Sequence, residues 1–98
     1  MKTYSQVLLT SNILKTKEKE LFAFLEKNLP NVRNFEGCHS VWVYYNSETA
    51  TMIFNEEWES KEHHKKYIDF ISKNGVMNQL IAFLEEPPMV EYYQKLAL

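Results

Sequence analysis

Glu56 carries the strongest chemical signal in the chain. It stands in the run Thr51–Trp58, where Met52, Phe54, Glu56 and Trp58 alternate with Thr51, Ile53, Asn55 and Glu57. A strand sends successive side chains to opposite faces, so Glu56 is a carboxylate between a phenyl ring and an indole. Buried there without a partner, a carboxyl is pushed towards neutrality, where it suits general-base work. A carboxylate near a strand end is also open to a structural ion pair, with Arg33 or a lysine.

The second candidate is His64. It recurs with Tyr67, Ile68 and Ile71 at i, i+3, i+4 and i+7, on the apolar stripe of a helix. Such an imidazole either lines a pocket between that helix and the sheet or is a satisfied core group. His63 is adjacent and points about 100° away, so the two cannot act as an i, i+4 metal pair. The remaining histidine is His39, and nothing signals a converging metal site. Cys38, the one cysteine, alternates onto the Trp42 face and reads as a structural thiol. There is no glycine-rich phosphate loop, Cys-x-x-Cys or Gly-x-Ser-x-Gly. No bound metal or organic cofactor is expected.

The elements that position these groups follow from sparse punctuation, two glycines and three prolines. An apolar run around Val7, Leu8 and Leu9 predicts a strand over about residues 3–13. Thr16 is placed to cap a helix carrying Leu21, Phe24, Leu25 and Leu29 on one stripe, kinked or ended at Pro30. Cys38–Tyr45 and Thr51–Trp58 form a hairpin across Asn46–Thr49. Ser60 caps a second helix that ends at Asn74-Gly75. Val76 to Leu84 reads as a short third helix, with Leu80, Ile81 and Leu84 facing in. Pro87-Pro88 breaks it, and Met89 to Leu96 forms the last strand. The order βαββαβ predicts a ferredoxin-like α+β fold, a four-stranded antiparallel sheet with helices on one face.

The bulk numbers agree with one domain over residues 1–98. Hydrophobic residues make up 45% and aromatics 14%, so disorder is not expected. Eleven Lys and Arg against thirteen Asp and Glu give a net charge of −2, with no basic excess for nucleic acid or an anionic membrane. No apolar run approaches a membrane span, and the N-terminal apolar stretch is too short for a signal-peptide core. A single cysteine fits a reducing compartment, so a cytoplasmic location is expected.

Both faces of the second strand are apolar: His39, Val41, Val43 and Tyr45 on one, Cys38, Ser40, Trp42 and Tyr44 on the other. The last strand divides into Val90, Tyr92 and Leu96 against Met89 and Tyr93. Helices can cover only one face of the sheet. The other predicts a homodimer, two sheets packed face to face.

Glu36-Gly37-Cys38, the hairpin, and Glu56-Glu57-Trp58-Glu59-Ser60-Lys61-Glu62 together resemble the antibiotic biosynthesis monooxygenase family. Leu84-Glu85-Glu86-Pro87-Pro88 before the last strand is similar to it as well. The resemblance spans nearly the whole chain. It implies a dimeric α+β barrel and cofactor-independent oxidation of a small quinol- or phenol-type substrate by molecular oxygen. Many members carry a histidine nine residues after the tryptophan, where this chain has Tyr67. Here the imidazole stands six after it, at His64. The expected site has Glu56 and His64 as acid–base groups and Phe54, Trp58 and Tyr67 as pocket wall, all converging between the sheet and the second helix. Two other activities remain open: isomerisation of a small carbonyl metabolite, and non-catalytic binding of a small molecule by the dimer.

Overall fold

Four strands pair in the order β2-β3-β1-β4, every neighbour antiparallel. The computed structural model describes residues 4–98. They comprise β1 (Ser5–Asn12), α1 (Glu18–Arg33), β2 (Cys38–Asn46), β3 (Thr51–Trp58), α2 (Lys61–Lys73), α3 (Val76–Ile81) and β4 (Met89–Gln94). This is the ferredoxin-like arrangement expected from the element order. The expected first strand began at residue 3, which lies outside the described residues. Among the described residues no helix is long and apolar enough to cross a membrane.

The alternation in β3 is obeyed. Met52, Phe54, Glu56 and Trp58 are all buried on the helix-covered face. Opposite them in the sheet stand Val7 and Leu9 of β1 and Val41 and Val43 of β2. Leu21, Leu25 and Val32 of α1 close this core from above, and Ile13 and Leu84 pair as a lone bridge at one end.

Several expected boundaries move. Thr16 caps nothing: it lies in a 3-10 turn, Lys15–Lys17, and α1 starts at Glu18 with no side-chain cap. Pro30 does not end α1, which continues to Arg33. Pro30 is exposed and close to the helix end, so the missing N–H falls where solvent can reach the freed carbonyl. The third helix stops at Ile81, because Leu84 leaves it to pair with Ile13. β4 ends at Gln94, and Leu96 is exposed beyond it. Ser60 caps α2 as expected, its Oγ accepting from the His63 N–H at 3.1 Å.

A register shift between Cys38 and Ser40 corrects the face assigned to Cys38. The extra residue puts Cys38 opposite Trp58 on the core side, away from the Trp42 face. His39 is exposed instead, ring to ring with Tyr4 at 4.2 Å and bonded to Glu59 at 2.7 Å. The Arg33 guanidinium reaches the edge carbonyl of Val41 at 2.9 Å and lies over the Trp42 ring. It is therefore not the partner of Glu56.

Gly37 makes this corner possible. Its φ is +88°, and a Cβ added there would sit 2.5 Å from the His63 ring. The Gly37 carbonyl also accepts from the Glu59 N–H. Gly37→Ala is expected to cost about 1–3 kcal/mol, read from the urea midpoint, because strain and clash act together. An unchanged midpoint would mean that the corner opens freely.

Candidate active site

A cavity of about 60 Å³ lies between the sheet and the helices. Phe54, Glu56, His64 and Tyr67 all line it, so four of the five expected site residues meet there. Trp58 does not line it. The indole is fully buried behind the wall, against the rings of His64, Tyr67 and Phe35. The cavity is also not walled by α2 and the sheet alone. Phe24, Leu25, Asn28, Leu29 and Val32 of α1 supply a further wall, and Val76, Met77 and Leu80 of the α3 segment supply another.

Local sequence explains the placement. Only Glu59 and Ser60 separate β3 from α2, so α2 folds back beside its own strand. His64 and Tyr67 share a helix face by their three-residue spacing, and that face meets Glu56. The turn is pinned by Ser60, whose hydroxyl also meets His63 Nδ1 at 2.6 Å.

The electrostatics follow from burial. Glu56 is 5% exposed, and the loss of hydration pushes its carboxyl up to about 7. Trp58 Nε1–H donates to Glu56 Oε1 at 2.8 Å and offsets this in part. Burial drives His64 the other way, down to about 4, so its imidazole is neutral at pH 7. His64 Nε2 lies 3.7 Å from Glu56 Oε1, within ion-pair range by distance alone. With the imidazole neutral this is a close approach of two polar groups, not a salt bridge, and 3.7 Å is too long for a hydrogen bond.

His64 Nε2 is buried and has no hydrogen-bond partner among the described residues. Its other nitrogen, Nδ1, meets the Tyr92 hydroxyl at 2.8 Å. Tyr92 stands on β4 opposite Val7, half-buried, with the Lys61 ammonium over its ring at 4.8 Å. A chain of polar groups thus runs from Glu56 through His64 to Tyr92 near the surface. Sequence reasoning placed Tyr92 on the Val90 face and did not find this role. The signal was its parity with Val7, which depends on a register that only the folded sheet fixes.

The remaining titratable neighbours are inert. Burial pushes the Cys38 thiol to about 11, with the nearby Glu56 adding to the shift, so it holds its proton at neutral pH. Tyr67 is raised by burial first and then by Glu56 and Cys38. Among the described residues no three His, Cys, Asp or Glu side chains stand together as metal ligands.

The cavity is small for an aromatic ligand. A dry cavity of about 150 Å³ in another protein takes benzene. Entry of a ring must therefore move wall side chains, and α3 is suited to yield. It is six residues long and contains no fully buried side chain.

No family model matches the chain, and no curated protein matches it. Solved structures do. A conserved protein from Methanosarcina mazei Go1 superposes with a TM-score of 0.84 at 18% identity, covering 97% of this chain and 95% of that one. A Bordetella bronchiseptica protein provisionally named an antibiotic biosynthesis monooxygenase gives 0.78 at 21% identity, covering 96% and 98%. A monooxygenase from the gene ActVA-Orf6 of Streptomyces coelicolor, in complex with nanaomycin D, gives 0.79 at 12% identity, covering 99% and 91%. The chain has the fold of these monooxygenases. Identities this low show the fold and leave activity to the site.

Proposed function

We propose that the chain is a cofactor-independent monooxygenase acting on a small electron-rich aromatic substrate of the quinol or phenol type. The observation that carries this reading is a carboxyl pushed to about 7 beside an unpartnered imidazole nitrogen, both lining one apolar cavity.

Such a site can do three things. Glu56 takes the phenolic proton, and His64 with Tyr92 relays protons outward. The cavity wall fixes the ring and excludes water. The phenolate then passes an electron to dioxygen, and recombination at a ring carbon forms a C–O bond. The resulting hydroperoxide gives up its outer oxygen as water, taking the ring hydrogen and a proton returned by Glu56. One dioxygen is consumed, one oxygen atom remains as a quinone carbonyl and the other leaves as water.

An oxygen electrode with a panel of naphthols and quinols tests this. One dioxygen consumed per quinone formed is expected. The same base could shift a proton next to a carbonyl, which is isomerase chemistry. Conversion of a carbonyl compound at equal rate without oxygen would replace the oxidative reading.

We also propose a homodimer joined through the helix-free sheet face, in a reducing cytoplasmic compartment. Support comes from Trp42 and Tyr44, 61% and 57% exposed, with Ile53, Met89 and Tyr93 also exposed. Trp42→Glu is expected to convert the dimer to monomer in sedimentation at micromolar concentration. A monomeric wild-type chain would remove the proposal.

A further inference from the structure

A second hollow of about 370 Å³ opens beside the cavity, where the ends of α1 and α2 meet. Asn28, Tyr67, Ile71 and Val76 line both spaces, so the hollow shares a wall with the cavity and stands where an antechamber to it would. Its lining is unusual for an entrance. Asn28, Asn31 and Asn34 follow one another at three-residue spacing along the end of α1, and Asn74 caps α2. None of the nine lining residues is charged.

The amides have capacity to spare. Asn28 Nδ2 donates back to the Phe24 carbonyl at 2.8 Å, leaving its Oδ1 free. The Asn74 Oδ1 accepts from Val76 N–H at 3.0 Å, leaving its Nδ2 free. The Asn31 and Asn34 side chains make no hydrogen bond with the described residues, and both are exposed. Each free amide offers donors and an acceptor, as a hydroxyl does. Both helices also point their C-terminal ends here, which favours donors and disfavours anions.

Aromatic rings form the floor. Phe70 is 53% exposed, and its ring centre lies 5.5 Å from that of Phe35, which is in turn edge-on to Tyr67. An open ring face bordered by neutral amides suits a ligand with one apolar face and a rim of hydroxyls. A pyranose has that shape, and its C–H face can bury against Phe70.

We propose that this antechamber binds a neutral polyhydroxylated substituent, of the glycosyl type, carried by the aromatic substrate. The inference rests on the reading of the inner cavity as the site of a phenol. It adds that the natural substrate is a conjugate whose ring enters the cavity while its hydroxylated part stays between Asn31, Asn34 and Phe70.

A matched pair of phenols tests it. 4-Hydroxyphenyl β-D-glucopyranoside and 4-methoxyphenol carry the same phenol and differ in the sugar. Calorimetry should give a Kd about tenfold lower for the glucoside, the gain of one or two net hydrogen bonds. The double variant Asn31→Ala, Asn34→Ala should abolish that difference and leave 4-methoxyphenol unchanged, since neither residue lines the inner cavity. Equal affinities for the two phenols, or a difference that survives in the double variant, overturns the antechamber proposal. Side-chain NMR signals separate the two readings. If neither phenol shifts His64, the cavity reading has failed. Methyl β-D-glucopyranoside alone then decides: shifts at the Asn31 and Asn34 amides sustain the proposal, and their absence overturns it.

Discussion

Glu56→Gln lowers turnover on the best quinol by about 10²- to 10⁴-fold, the usual contribution of a positioned base. Glutamine keeps the shape and an acceptor for Trp58 Nε1–H but cannot take a proton. The same variant is expected to change how stability depends on pH. The Glu56 carboxyl has a folded-state value near 7 against 4.5, so the folded chain holds this proton more tightly. Its contribution to stability is full below pH 4.5 and is lost as pH rises through 7. His64 runs oppositely, from 6.5 down to about 4, so its contribution is present above 6.5 and lost as pH falls through 4. Between those limits folding moves one proton from imidazole to carboxyl, and the pair makes stability flat. Removing the carboxyl removes the alkaline loss. Glu56→Gln should gain about 2 kcal/mol relative to the wild type between pH 5 and pH 8. Parallel stability curves in denaturant at the two pH values would contradict a buried, neutral Glu56.

Trp58→Ala is the largest expected loss of stability, about 3–5 kcal/mol, because the indole is fully buried against three other rings. It also removes the hydrogen bond that Glu56 accepts, so the carboxyl rises further. Trp58→Phe separates the two roles. It keeps most of the volume and loses the N–H, so most of the stability should remain. The pH midpoint of activity should then move upward. A Trp58→Phe enzyme with an unmoved midpoint would leave the indole as packing alone.

Much of this site could be read from alternation. Period two in Thr51–Trp58 put Glu56 on the buried face, and helical spacing put His64 beside Tyr67. These are local regularities that tertiary contacts did not override. The errors came where local pattern and tertiary structure part. A one-residue bulge at His39 reversed the parity of Cys38, and no composition signal marks it. Trp58 shares a face with Glu56, but its size carries the indole behind the cavity wall. Proline disfavours helical geometry at the residue before it, which predicts a kink or an end at Pro30, yet at an exposed position near its end α1 runs on to Arg33. The contribution of α1 to the cavity depended on how two helices lean on one sheet, which neither stripe encodes alone. Asparagines spaced three apart along a helix surface carry no signal of a site in the sequence, because only the fold brings the end of α2 beside them.

The central claim is a carboxyl kept near neutrality against an imidazole inside an apolar cavity. Carbon-13 NMR titration of the Glu56 side chain in the intact protein tests it without any assumed substrate. A midpoint near pH 7 is the expected result, with His64 remaining neutral down to about pH 4. A midpoint in the ordinary carboxylate range, near 4.5, would contradict it and leave Glu56 an ordinary, weakly basic carboxylate.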